Sequence, residues 1–363
     1  MSTTRQLHDM GQSLWLDNIS RTILDDGTLA GYIDGFSVTG LTSNPSIFNE
    51  AVGGSDAYDA GIRSKAGQGK SGEALFMELA LEDLRCAADL FLPVFDATNG
   101  VDGWVSMEVS PLLVSDTAGS IAAARLIHDQ GDRPNLFVKI PGTREGVPAI
   151  EEAIFAGVPI NVTLLFSTQQ YVDVAEAYMR GLERRIEAGL EPRIASVASL
   201  FVSRWDRAVA DEVPSELHNK LGIAVAQMTY RAYRDILASP RWRKLAAQGA
   251  QPQRLLWAST GTKDPNASDT LYIEALAAPD TINTIPEKTL HAFADHGALT
   301  GPMALDGGDS ESVLTRFATA GVDVTALADR LQVEGAAAFV TSWNELLQTI
   351  ETRSRALAGE DRR

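Results

Sequence analysis

One lysine stands in the middle of an apolar run, Leu136-Phe137-Val138-Lys139-Ile140-Pro141. The run reads as a short buried strand that hands over to a helix after Gly142. Alternation sets Leu136, Val138 and Ile140 on one face and Phe137, Lys139 and Pro141 on the other. Burying an ammonium is costly. The usual remedy is a depressed pKa, and the neutral amine that results is a nucleophile. The bland alternative is a lysine at a strand end whose head snorkels to water. Two other strand-like runs reach acids: Ser13–Asp17 ends on Asp17, and Gly103–Val109 carries Glu108. A desolvated amine with two carboxylates is the equipment of Schiff-base chemistry on a carbonyl compound. The amine attacks a ketone, the iminium becomes an electron sink, and an adjacent carbon–carbon bond breaks. One acid takes a hydroxyl proton during cleavage. The other manages water and protons while the imine forms and hydrolyses.

Bringing these groups together is the task of the elements around them. Strand patterns fall at 13–17, 36–45, 103–109, 136–141, 158–164, 194–201, 254–259 and 280–286. Asn44-Pro45 stops the second, and Pro159 suits a strand start. Helical patterns lie between them. The stretch 72–92 puts Met77, Leu81, Leu84, Ala88 and Phe91 on one face, and 168–188 does the same with Val172, Ala175, Tyr178, Met179, Leu182 and Ile186. Residues 203–249 hold helices broken near Pro214 and Pro240, and 311–360 is helical. The Gly-rich segment near 52–72 reads as an exposed excursion.

Strands alternating with helices argue for a parallel sheet, and eight is the number that closes a barrel. The expectation is an α/β protein: a (β/α)8 TIM barrel with extra helices, one domain over 1–363, with a helical N-terminal segment and further helices after about 311. In such barrels chemistry collects at the C-terminal strand ends. There the chain carries Asp17, Thr42 and Asn44, Glu108, Lys139, Asn161 and Thr163, Ser199, and Ser259 followed by Lys263. Thr42 shares a face with Asn44, Asn161 with Thr163, and Ser199 with Phe201. Any one of these alone is an ordinary turn residue or helix cap. Their coincidence over seven strands makes Lys139 a functional residue. Arg204 and Lys263 follow strands six and seven, whose loops often hold phosphate in such barrels. The plain reading of Arg204 is a surface helix charge.

Composition narrows the partners. The net charge of −17 argues against nucleic acid, whose backbone needs a basic footprint. An anionic substrate then needs a local cationic pocket. No apolar run is long enough to span a bilayer, and none follows basic residues at the N-terminus, so a cytoplasmic soluble protein is expected. The one cysteine, Cys86, rules out an internal disulfide and reads as buried and inert. The five histidines do not cluster, and no zinc spacing or HExxH occurs, so neither metal nor cofactor is expected. GQGKSG (Gly67–Gly72) matches GxGxxG, but no strand leads into it. Trp242, in SPRWRKL, reads as part of a solvated helix face.

GLTSNPSIF (Gly40–Phe48), VSMEVS (Val105–Ser110), NLFVKIPGTREG (Asn135–Gly146), INVTLLFS (Ile160–Ser167) and SLFVSR (Ser199–Arg204) together resemble, in order, the motifs of the transaldolase family. WASTGTKDP and NTIPEKTL resemble its longer bacterial branch. The resemblance implies that Lys139 is the Schiff-base lysine and Asp17 the acid/base at the C4 hydroxyl. Glu108 is implied to work through a bound water that Thr163 helps hold. Thr42, Asn44, Asn161 and Ser199 would line the sugar site, and Arg204 would bind phosphate. A second phosphate arginine of the family has no counterpart in ASTGTK, so Lys263 is carried to that role. The implied substrates are sugar phosphates: a dihydroxyacetone unit passes from fructose 6-phosphate or sedoheptulose 7-phosphate to an aldose phosphate, with no metal or organic cofactor.

The nearest rival is fructose 6-phosphate aldolase, which the resemblance associates with shorter chains, a glutamine for Glu108 and a tyrosine near Phe201. Glu108 and Phe201 therefore favour transfer. Two further classes stay open: a non-catalytic barrel that binds sugar phosphates, and an isomerase using Asp17 and Glu108 as a proton-shuttling pair. Monomer and homodimer are equally compatible with the sequence.

Overall fold

A computed structural model describes residues 2–360 of the chain. Its strands are β1 (Ser13–Asp17), β2 (Val38–Thr42), β3 (Val105–Glu108), β4 (Leu136–Pro141), β5 (Ile160–Leu165), β6 (Ser196–Phe201), β7 (Arg254–Ala258) and β8 (Thr281–Ile285). They close a barrel in chain order, every neighbour parallel. Eight short strands with helical crossovers can satisfy every strand edge only by closing on themselves.

The helices are α1 (Thr3–Asp9), α2 (Arg21–Asp25), α3 (Thr28–Phe36), α4 (Pro45–Gly54), α5 (Asp59–Gly67), α6 (Gly72–Ala97), α7 (Thr117–Gly131), α8 (Gly146–Ala156), α9 (Thr168–Glu187), α10 (Ser203–Val209), α11 (Leu221–Ala238), α12 (Pro240–Ala246), α13 (Leu271–Ala275), α14 (Glu287–His296), α15 (Ser310–Thr319) and α16 (Val324–Glu360). Local chemistry sets their ends. Ser167 and Gln170 form a capping box at the start of α9. Gly157 closes α8 in the left-handed conformation. Pro240 opens α12 rather than merely breaking a helix, with Ser239 as its cap.

The period of two along each strand separates two cores. Leu136, Val138 and Ile140 pack outward against the helices. Phe137 packs inward with Trp15, Trp104, Val197, Leu256 and Ile282. Its ring stacks on Trp104 with centroids 4.0 Å apart. Trp15 fits inside because its register partner is Gly40. A Cβ on Gly40 would lie 2.5 Å from the indole. Bulky side chains therefore fill the N-terminal half of the barrel, and the polar groups are left to the C-terminal half.

Three expectations are corrected. The segment 52–72 is not an exposed excursion: α4 and α5 occupy much of it, and Val52, Tyr58 and Ile62 are buried. The Tyr58 hydroxyl donates to Asp83 of α6, and Arg21 pairs with the same carboxylate. Cys86 is exposed rather than buried, because it lies off the stripe formed by Leu84, Ala87, Ala88 and Phe91. Partial burial, Asp83 and Asp89 raise its pKa, which disfavours the reactive thiolate. Trp242 is buried in the outer core, while its neighbour Arg241 pairs with Glu183 and Glu176. No helix among the described residues is long and apolar enough to cross a membrane.

Candidate active site

The strand register builds the centre of the site. Glu108 on β3 pairs with Lys139 on β4, and Lys139 pairs with Asn161 on β5. Neighbouring strands lie about 4.8 Å apart, so these inward side chains must meet. Lys139 and Glu108 are each only 6% exposed. Lys139 Nζ lies 2.6 Å from Glu108 Oε1, a close ion pair. The same amine donates to the Ser43 carbonyl at 2.9 Å. The lysine thus does not snorkel; its charge is met inside the barrel by a carboxylate and a backbone oxygen.

Burial pushes the Glu108 carboxyl above its ordinary pKa, and nearby Asp17 adds to that; Lys139 pulls the other way. Asp17 is likewise raised by burial against the opposing pull of Lys139, the Thr42 hydroxyl and Lys263. Thr42 Oγ1 donates to Asp17 Oδ1 at 2.8 Å and lies 2.6 Å from Thr284 Oγ1 of β8. Below the lysine, Ser199 Oγ donates to Asn161 Oδ1 at 2.7 Å, and Asn161 Nδ2 donates to Ser106 Oγ at 3.1 Å. The barrel mouth is therefore a fixed ring of donors and acceptors around one amine.

The other expected residues differ in their surroundings. The Asn44 carboxamide oxygen caps α4 through the Ile47 amide, 3.0 Å away. Its turn-and-cap role is thus real. Arg204 opens α10, and its guanidinium sits 5.1 Å from the centre of the Phe201 ring and 6.0 Å from that of Phe339. Burial, then Arg207, lowers its pKa. No carboxylate among the described residues pairs with Arg204. Lys263 is exposed on the loop after β7, yet its charge reaches Asp17. Thr163 is buried, and its hydroxyl has no protein hydrogen-bond partner. It borders a chamber of about 10 Å³ with Glu108, Lys139, Ala336 and Phe339.

Sequence reasoning missed several of these groups. Ser106 lies two residues before Glu108, so the alternation rule already placed it on the same face. Thr284 completes the polar ring on the eighth strand. Ala336 and Phe339 come from α16, and no local signal marks them. A larger cavity, about 420 Å³, lies at the opposite end of the barrel. Its charges are engaged by neighbours: Asp102 accepts from Trp15 at 2.8 Å, and Arg254 donates to Ser13 at 2.7 Å and to the Thr281 carbonyl at 2.9 Å. That pattern reads as support for the barrel floor, where stability rather than chemistry is the rule.

Fold and site together define a class: a parallel eight-stranded barrel with a buried amine–carboxylate pair at the C-terminal ends of its strands. Comparison with known proteins narrows it. The family model described as transaldolase/fructose-6-phosphate aldolase matches residues 14–350. A transaldolase of Acidothermus cellulolyticus is 45% identical over 365 residues, spanning 98% of each chain. One from Thermobifida fusca is 45% identical over 358 residues, 96% of this chain and 97% of its own. Transaldolase 2 of Nostoc punctiforme is 38% identical over 379 residues, 99% of this chain and all of its own. The chain belongs to the transaldolase/fructose-6-phosphate aldolase family.

Proposed function

We propose that this site is that of a transaldolase: it moves a dihydroxyacetone unit from fructose 6-phosphate or sedoheptulose 7-phosphate to glyceraldehyde 3-phosphate or erythrose 4-phosphate. The observation that carries the reading is the buried Lys139 Nζ, 2.6 Å from Glu108 and within the field of Asp17. Attack on the ketone needs a neutral amine. Glu108, its pKa lifted by burial, is placed to take the ammonium proton and leave the lone pair free. The lone pair attacks C2, and loss of water gives the iminium. A chamber of about 10 Å³ is the size of one water, and Glu108 and Thr163, whose buried hydroxyl has no protein partner, both line it, which suits them to handle that water.

Asp17 then removes the proton from the C4 hydroxyl. The C3–C4 electrons flow into the iminium, an aldose phosphate leaves, and an enamine stays on Lys139. The enamine attacks the aldehyde carbon of the second aldose phosphate, and Asp17 returns its proton to the new hydroxyl. Hydrolysis releases the ketose and restores the amine. Thr42 and Thr284 hold Asp17 in place for both transfers. Asn161 and Ser199, bonded to each other beside Lys139, fix the floor against which the three-carbon unit lies. Phe201 covers that unit with an apolar ring, lying 5.3 Å from Phe166.

Arg204 supplies the anion pocket that the net charge demands. A partly buried guanidinium without a carboxylate partner is suited to a phosphate, and Lys263 adds a second, more exposed cation. Arg204→Ala is expected to raise KM for fructose 6-phosphate about 10- to 100-fold, the scale of a charge-assisted hydrogen bond, with kcat changed much less. Activity on unphosphorylated fructose should not change. Steady-state kinetics on the two sugars checks this, and an equal loss on both would remove Arg204 from the phosphate role.

The reading as a whole is tested by covalent trapping. The protein is incubated with fructose 6-phosphate, reduced with borohydride and mapped by mass spectrometry. A reduced three-carbon adduct on Lys139 is the expected result. Unmodified protein, alongside a labelled transaldolase control, would bring the binding-barrel and isomerase readings forward.

A further inference from the structure

β5 carries an irregularity beside the reacting lysine. Its ladder with β6 pairs Val162 with Ala198 and then Leu165 with Leu200, so β5 holds one extra residue there. The extra residue is accommodated at Leu164, which has a φ of +60°. Among the described non-glycine residues with positive φ, Leu164 alone lies inside a strand. That conformation is strained for an L-residue, so something outside β5 must hold it.

α16 supplies the hold. Gln332 Nε2 donates to the Leu164 carbonyl at 2.9 Å and to the Gly142 carbonyl at 3.1 Å. One amide thereby ties together the exits of β4, which carries Lys139, and β5, which carries Thr163. Gly335 lies on the same helix face three residues on. A Cβ there would stand 3.0 Å from Leu164 Cδ2 and 3.1 Å from the Arg204 guanidinium. Ala336 and Phe339, also on this face, border the chamber beside Lys139.

We propose that Gln332 is a positioning residue for the reaction at Lys139: by holding the Leu164 and Gly142 carbonyls together it fixes the exit of β5 against that of β4, and with it the place of Thr163 beside Glu108 and Lys139. Without that hold β5 relaxes toward regular extended geometry. Thr163, the residue before Leu164, then shifts against Pro141, its register partner on β4, and draws away from the chamber. The proposal rests on the role given to Thr163 above.

A double-mutant cycle tests it. Thr163→Val, Gln332→Ala and their combination are compared for kcat, KM, the single-turnover rate of adduct trapping, and Tm. Each single change is expected to lower kcat about 10- to 100-fold, the scale of an ångström's misplacement near a reacting centre. KM for fructose 6-phosphate should stay within about threefold. The double variant should be no slower than Thr163→Val alone, because Gln332 acts through Thr163. Gln332→Glu keeps the shape of the side chain, removes the donor, and should match Gln332→Ala at pH 8. Losses that multiply in the double variant, or a Gln332→Glu enzyme as fast as the parent, overturn the proposal. Full activity in Thr163→Val overturns instead the role of Thr163 beneath it.

Discussion

Lys139→Met is expected to abolish transfer, with a fall in kcat on the order of 10⁴-fold or more and no borohydride-trapped adduct, because the covalent route disappears with its nucleophile. The same change strands Glu108. In the parent, Lys139 is the main influence opposing the effect of burial on that carboxyl. Without it the folded-state pKa of Glu108 moves further above its unfolded value. A carboxyl raised in the folded state contributes stability that is fully present below the unfolded pKa and is lost as pH rises through the folded pKa. The variant should therefore melt close to the parent near pH 4 and fall progressively behind it toward pH 8. Removing one partner of a buried ion pair costs about 3–5 kcal/mol when the other must stay charged. Lys139→Arg separates the two effects: it retains a cation for Glu108 and so most of the stability, yet should be as inactive. Thermal melts of both variants across pH check this. A gap between Lys139→Met and the parent that does not vary with pH would mean that Glu108 is not the counter-ion of Lys139.

The barrel was legible because its strands are short, apolar and period-two. That pattern placed β1 and β4 residue for residue and put Lys139 on the inner face. The polar strand ends could be read for the same reason, since parallel register brings strand ends to one rim. Glu108 and Lys139 meet because they are register partners, which the spacing within each strand alone does not state. What escaped has a common cause: it depends on long-range contact. Gln332 is 190 residues from Gly142 and 168 from Leu164. The pattern of α16 announces a helix but not what it lies across. At 37 residues it is about 55 Å long. It runs from the exits of β4 and β5 to α4 and α5, where Thr349 bonds Asn49 and Arg353 bonds the Val52 carbonyl at 2.8 Å. The bulge at Leu164 is equally silent in INVTLLF, because leucine carries no left-handed signature. The segment 52–72 was misread because its glycines outweighed Tyr58 and Ile62, whose burial depends on α6.

Asp17→Asn should separate imine formation from carbon–carbon cleavage. The substitution keeps the shape of the side chain and its hydroxyl neighbour Thr42, but removes the base at the C4 hydroxyl. Lys139 and Glu108 are untouched, so the ketose should still condense with the amine. Borohydride should then trap a six-carbon phosphorylated adduct on Lys139, where the parent yields a three-carbon one. The fall in kcat should be about 10²- to 10⁴-fold, the usual scale for a positioned acid–base group. A pH argument supports the same assignment. Asp17 must be ionised to accept the proton, and burial holds its pKa above the ordinary aspartate value of 3.8. The acid limb of kcat should consequently lie above that value, falling as pH drops through the raised pKa. Thr42→Val removes a hydrogen bond that favours the ionised form and should shift the limb to higher pH while leaving the plateau rate nearer the parent's. An isomerase using Asp17 and Glu108 would give no adduct of either size, and a three-carbon adduct formed by Asp17→Asn at the parent's rate would assign cleavage to another base. The size of the trapped fragment therefore decides which carboxylate breaks the bond.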